Sequence, residues 1–246
     1  VLIDKFSFLI KVSGSLLMCG RYTISETVSK LKVSFCFKNS LNLQPRFNLA
    51  PGQAAPIITG DDRGSRHLCM MDWGFLSENY KIKSGATNRV INARSETLLE
   101  KKSFKDAAVS QRCLILADGF YEWQHDGGGK KAYYIYKKDH KSFAFAGLWR
   151  SEGNHTHLGF DTKSFVIVTR EAVTSVKQIH HRMPFILNEE QCETWLNGTV
   201  AAATNMLNGN YHIELDYHEV SDRVGNVKND DSSLCDKFTQ PQLRLF

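Results

Sequence analysis

The chain has no CxxC pair among its six cysteines, which stand at positions 19, 36, 69, 113, 192 and 235. That argues against a zinc site, and a chain of 246 residues has no need of a disulfide framework, so the thiols fit a reducing compartment. His180 and His181 are adjacent and cannot both face one metal from one helical face; neither a metal nor a cofactor is expected. No GxxxxGK[ST] phosphate loop is present. DGGGKK at 126–131 lacks that spacing and a following helix, and reads as a hairpin turn. There is no internal repeat, no long linker and no clean apolar run of signal-peptide or membrane-spanning length, since Lys11 interrupts the apolar residues of 1–17. Neither charge sign dominates: 31 Lys and Arg against 26 Asp and Glu leave a net charge of +5, which permits a polyanionic partner without demanding one.

What is present is ordinary for a globular protein, with 42% apolar and 23% charged residues. The length suits one large domain or two small ones and is enough to bury about 70–75% of the unfolded surface. SETVSKLKVSFCF (25–37) has a serine start signal and helical spacing. RFNLAPGQAAPIITG (46–60), punctuated by Pro51, Gly52, Pro56 and Gly60, reads as an irregular loop leading into a short strand. ARSETLLEKKSFKDAAV (93–109) reads as a helix with Ser95 as its cap. RCLILADGFYEWQ (112–124) predicts a buried strand, a turn at Asp118-Gly119 and a second strand. Further strands are expected in KAYYIYKK, in 141–149, in 164–170 and in 211–220, with one or two helices in 188–208 and loose order over 221–246. The sum is α+β: a single β-rich domain with flanking helices, expected to be a monomer.

Four stretches set polar groups in apolar surroundings: MCGRYT, VINARSET, DGFYEW and IHHRMP. Taken singly, Asn92 fits a turn, Glu122 a solvent-facing strand position and His180 a core histidine. Taken together, Cys19, His180, Asn92 and Glu122 suggest a thiol-based active site with a nucleophile, an acid–base group, an orienting amide and a second proton carrier. Cys19 follows the first methionine of the chain, Met18, in LLMCGRYT. At a mature N-terminus it would carry a free thiol and a free α-amine on adjacent carbons, a pair no internal cysteine has.

MCGRYT, RFNLAPGQ, Trp73-Gly74, INARSET, RCLILADGFYEW, IHHRMP and VSDRVGNVKN, in that order, resemble the SOS-response-associated peptidase family from Met18 to about Asn229. The resemblance implies a domain over 18–230, with 1–17 as an upstream extension outside the mature protein and 231–246 as a flexible tail. It also implies a DNA-damage role: covalent capture of abasic sites in single-stranded DNA through Cys19 as a thiazolidine, with crosslink reversal and autoproteolytic exposure of the cysteine. By motif position Asn92 orients the opened sugar or the cysteine, Glu122 moves protons, and His180 assists ring opening as acid or base. Arg21, Arg94 and Arg182 are expected on phosphates and Asn48 among the DNA contacts, while Trp73 and Phe75 stack on a base or wedge a junction, with core packing as their alternative. The tail QPQLRLF, Gln240 to Phe246, resembles sliding-clamp-binding peptides. The resemblance places the protein in the nucleus at replication forks if the source is eukaryotic, and in the cytoplasm if it is bacterial. Two other readings stay open: a conventional thiol peptidase, which needs no free amine, and a non-covalent reader of modified or single-stranded DNA, which needs no Cys19.

Overall fold

The computed structural model describes residues 19–76, 89–125, 129–153 and 162–239. Residues 1–17, Met18, part of the 126–131 turn and the Gln240–Phe246 peptide lie outside them.

In chain order the strands are β1 (Arg21–Ile24), β2 (Arg46–Leu49), β3 (Ala54–Gly60), β4 (Arg66–Trp73), β5 (Phe75–Leu76), β6 (Arg89–Val90), β7 (Asn92–Arg94), β8 (Arg112–Ala117), β9 (Gly119–His125), β10 (Lys130–Lys137), β11 (Phe143–Ser151), β12 (Lys163–Glu171), β13 (Arg182–Pro184), β14 (Ile186–Leu187) and β15 (Leu215–Val220). The α-helices are α1 (Val28–Phe35), α2 (Lys102–Ser110), α3 (Thr174–Lys177), α4 (Glu189–Asn197) and α5 (Val200–Asn208). The architecture is α+β and mostly sheet. One sheet runs β15-β10-β9-β1-β2. The second runs β13-β12-β4-β3-β8-β11-β14, and a further pairing of β12 with β11 closes its middle strands into a ring. Its strands explain the long apolar runs: RCLILA of β8 is buried from Cys113 to Ala117, as expected of a strand covered on both faces.

The chain passes from the closed sheet to the open one at Asp118. Its carboxylate accepts the Ser25 N–H and hydroxyl and the Glu26 N–H, which fixes the exit of β1 against the start of β9. The next residue must be glycine, because a Cβ at Gly119 would overlap the ring of Tyr134.

Five sequence expectations change. The helix expected at 25–37 is shorter, and Thr27 caps it by accepting the Lys30 N–H. The helix expected over 93–109 begins only at Lys102: Asn92–Arg94 is drawn into a parallel ladder with β12, and Ser95–Thr97 makes a short 3-10 turn. Sheet pairing there outweighs local helix propensity. The 46–60 segment holds a whole strand, β2, before β3, and the strand expected at 211–220 starts at Leu215.

The fifth is the segment after β15, which is tied down through residue 235. Val224 and Leu234 are buried with Tyr121, Ala132 and Val220 in a small second core. Asn48 is fully buried; its Nδ2 donates to the carbonyls of Val224, Asn226 and Asn229 at 3.2, 3.1 and 2.8 Å. Asp230 accepts the N–H groups of Phe47 and Asn48 and pairs with Arg46 Nε at 2.5 Å. Asn48→Ala removes the donor from under three carbonyls, and an unsatisfied buried polar group costs about 1–3 kcal/mol. The expected result is a lower urea midpoint with an unchanged m-value.

Candidate active site

Arg21 of β1 stands opposite Tyr121 of β9, so the residues just ahead of β1 run out past Glu122. Cys19 closes that approach: its backbone nitrogen donates to Glu122 Oε1 at 2.7 Å. Its φ is +44°, in the left-handed region. Both residues are buried, Cys19 to 2% and Glu122 to 1% exposure. Burial, opposed by hydrogen bonds from Cys19, pushes the Glu122 carboxyl up to about 7. A carboxyl there can both take and give a proton near neutral pH. Burial first, and then the charge and hydrogen bond of Glu122, push the Cys19 thiol well above its ordinary value, with Arg182 pulling it back.

The second half of the site gathers at the C-terminal end of β12. In register, Asn92 of β7 lies opposite Ile167 and Arg94 opposite Thr169, while Arg182 of β13 lies opposite Glu171. His180 is buried and His181 exposed. The Arg182 N–H donates to His180 Nδ1 at 3.1 Å, and the Arg182 carbonyl stands at the same distance. That leaves Nε2, buried and without a hydrogen-bond partner among the described residues, as the nitrogen open to a ligand. Burial lowers the His180 pKa and so favours the neutral ring. Arg182 links the two halves, because its charge reaches both the Cys19 thiol and the His180 ring.

The residues expected on DNA fall into distinct positions. Arg94 is exposed and makes no ion pair among the described residues. Arg21 is half-buried and engaged: Nη1 donates to Asn48 Oδ1 and the Val224 carbonyl, Nη2 to the Gly225 carbonyl. Asn48 is spent on the same knot and has no face for DNA. Arg182 is buried, and its guanidinium holds Glu96 through two bonds of 2.5 and 3.0 Å and the Thr169 carbonyl at 2.8 Å. A phosphate there would have to displace Glu96. Trp73 and Phe75 are each 1% exposed and are core residues, not stacking platforms. The Trp73 ring stacks on Phe165 and meets Tyr22 edge-on, and Nε1 donates to the Ile91 carbonyl. Phe75 packs on Phe104 and lies under Arg150.

Sequence reasoning missed Glu96 and Thr169, which hold Arg182. It also missed a network in which Gln124 Nε2 donates to the Gln178 carbonyl, Tyr133 donates to Gln124, and Gln178 bonds Tyr217. That network ties the strand of Glu122 to the segment before His180. Glu96 stood within INARSET, but its partner lies 86 residues away. No group of three or more His, Cys, Asp or Glu among the described residues is arranged to hold a metal, and none of their helices is long and apolar enough to cross a membrane.

Known proteins share this arrangement of chain. A crystal structure of a Bacteroides thetaiotaomicron protein superposes with a TM-score of 0.76 at 25% identity, covering 90% of this chain and all of that one. The abasic site processing protein YoaM of Bacillus subtilis (strain 168) is 34% identical over 227 residues, which cover 89% of this chain and 98% of its own. The abasic site processing protein HMCES of Gallus gallus is 30% identical over 254 residues, covering 87% of this chain and 76% of its own. The family model of the SOS response associated peptidase (SRAP) matches residues 18–227, and the chain belongs to that family.

Proposed function

We propose that this protein processes abasic sites in DNA, as its relatives' names say of them, and that it does so by bonding Cys19 to the opened sugar. The observation that carries the reading is the 2.7 Å contact between the Cys19 nitrogen and Glu122, a carboxyl poised near 7. Once Cys19 is the first residue, that nitrogen is an α-amine. It attacks the sugar aldehyde to give a carbinolamine; Glu122 accepts a proton from nitrogen and returns one to the departing hydroxyl, so water leaves and an imine forms. The thiol then adds across the C=N bond, with its proton passing to nitrogen, and closes a five-membered thiazolidine. Atoms balance without an oxidant or reductant. Reversal runs the same proton transfers backwards. His180 supports sugar opening through Nε2. Holding amine, thiol and carboxyl together supplies much of the rate, since such ordering replaces encounters in solution.

The raised thiol pKa counts against a conventional thiol peptidase. Such an enzyme works through a thiolate, and here burial and a neighbouring carboxylate both favour the neutral thiol. The reaction above needs the amine first and the thiol second, so it tolerates a neutral thiol.

The deciding experiment incubates protein beginning at Cys19 with a single-stranded oligonucleotide carrying one abasic site, followed by a denaturing gel. A slow-migrating covalent band is expected, and its absence beside intact non-covalent binding leaves only a reader of DNA. Arg94, exposed and in no ion pair among the described residues, is the contact expected on phosphate. Arg94→Ala should weaken binding similarly for all sequences and make the log–log salt dependence shallower by about 0.7. An unchanged slope returns Arg94 to the solvated surface.

A further inference from the structure

β12 lies between the two stretches that carry Asn92 and His180. At Thr169 it faces Arg94 of β7 on one edge and Pro184 of β13 on the other, so β7 and β13 each pair with β12 and not with one another. What joins them is a side-chain clasp across the end of β12. Arg182 of β13 reaches over Thr169, where Nη2 donates to the carbonyl at 2.8 Å and to the hydroxyl at 3.3 Å. Beyond Thr169, Nη1 and Nη2 meet the two carboxylate oxygens of Glu96 at 2.5 and 3.0 Å, in the 3-10 turn that continues β7. Nε is buried without a hydrogen-bond partner among the described residues, so the bonds to Glu96 and Thr169 are what orient the guanidinium.

Both ends of the clasp stand next to site residues. Asn92 opens the strand that runs into the turn of Glu96, and Arg182 gives its backbone N–H to His180 Nδ1 at 3.1 Å. A two-pronged pair of arginine and carboxylate fixes the plane of the guanidinium as well as its position. The cation so fixed is felt at the reaction centre. After burial and Glu122, Arg182 is the group that draws the Cys19 thiol back down, and after burial it is among the charges that lower His180. Without Glu96 the buried cation would keep only Thr169 as a partner. An uncompensated buried charge of that kind is costly, and turning away is its cheapest relief.

We propose that Glu96 is a positioning residue for the reaction at Cys19: it locks Arg182 across the end of β12, and through Arg182 it sets the His180 ring relative to the strand of Asn92 and keeps one cation in place beside the thiol. The proposal rests on the abasic-site reading above. It gives Glu96 a task that is complete before DNA arrives, and it does not ask Arg182 to hold a phosphate. Groups that act on one sugar must be held to a fraction of an ångström, and a displacement of about 1 Å can cost about 10²-fold in rate.

The test compares protein beginning at Cys19 with its Glu96→Gln, Arg182→Gln and doubly substituted forms, all well below their melting temperatures. Two quantities are read: the crosslinking rate at saturating single-stranded abasic oligonucleotide, and the imidazole nitrogen NMR signals of His180 in the free protein. Glu96→Gln should lower the rate by about 10²-fold, leave binding to an undamaged strand in place, and displace the His180 signals. Arg182→Gln should be slow as well, and the double variant no slower than Arg182→Gln alone, because Glu96 acts through that side chain. If Glu96→Gln loses its cooperative thermal transition, Glu96→Asp carries the test. It keeps the charge and withdraws the carboxylate by one methylene, with a slower rate and shifted His180 signals again expected. A lowered melting temperature with normal rate and unmoved His180 signals overturns the proposal and leaves the pair as a structural ion pair. Losses that add in the double variant overturn it too, since Glu96 then acts apart from Arg182. Tighter binding of DNA by Glu96→Gln at an unchanged rate makes the carboxylate a placeholder for a phosphate and overturns the positioning role. A wild type that binds the abasic oligonucleotide without crosslinking it removes the reaction reading instead; His180 signals that move in Glu96→Gln then still uphold the clasp, and unmoved signals overturn it.

Discussion

Glu122→Gln is expected to slow formation and reversal of the crosslink by about 10²–10⁴ while leaving non-covalent binding intact, because an amide cannot relay the proton that a carboxyl passes in both directions. The same substitution should stabilise the fold at alkaline pH. Burial raises the folded-state pKa of Glu122 to about 7 from an ordinary 4.5, so the folded protein holds this proton more tightly than the unfolded chain. The stabilisation is complete below about pH 4.5, falls as the unfolded carboxyl ionises, and is lost as pH rises through 7. The difference of about 2.5 units corresponds to about 3 kcal/mol. Thermal melts at pH 5 and pH 8 should show Glu122→Gln gaining on wild type at the higher pH, with its slow crosslinking evident at both. Wild-type crosslinking rates in the variant would remove Glu122 from the mechanism. Equal melting differences at the two pH values would show that the carboxyl does not titrate near 7.

The second large effect is expected at the Cys19 nitrogen. In the chain as written it is an amide, bonded to Met18. Amide nitrogen shares its lone pair with the carbonyl and does not attack aldehydes near neutral pH. Protein that retains any residue ahead of Cys19 should yield no heat-stable crosslink, since the thiol alone gives only a readily reversed hemithioacetal. Three preparations test this on one abasic oligonucleotide: the 246-residue chain, a chain starting at Met18, and a chain starting at Cys19, each verified by intact mass after reaction. Full crosslinking is expected only where the mass shows Cys19 first. A stable adduct whose mass still contains residues 1–18 would falsify the α-amine route and favour chemistry through the thiol alone.

The strands around the site were legible because their code is local. RCLILA, the break at Asp118-Gly119 and the alternating KAYYIYK carry their own periodicity, and β8, β9 and β10 follow it. β7 was not legible, because Ala93 and Arg94 read as the start of a helix until β12 is beside them. The fold class, α+β and rich in sheet, followed from the local elements and survived these errors. Within the site, residue types named chemistry but not occupancy. Three arginines beside motif residues looked alike in sequence; Arg94 is exposed, Arg21 is tied to the 224–225 carbonyls, and Arg182 to Glu96. Trp73 and Phe75 illustrate the same limit, since an aromatic ring fits a core and a stacking platform equally well until burial is known.

The backbone of Cys19 adds a mechanical consequence. A left-handed φ is unfavourable for any residue with a side chain, by roughly 1–2 kcal/mol, because Cβ and the flanking carbonyls crowd one another. At an internal residue that crowding includes the carbonyl of the residue before. A chain that starts at Cys19 has no such carbonyl and its nitrogen turns freely, so part of the tension at +44° disappears when the preceding peptide bond is cut. On the proposed route, the nitrogen freed by removal of the residues ahead of Cys19 would already lie against Glu122. A residue rejoined there would have to take up that tension again, so the proposed α-amine would be the more relaxed form of this corner of the molecule.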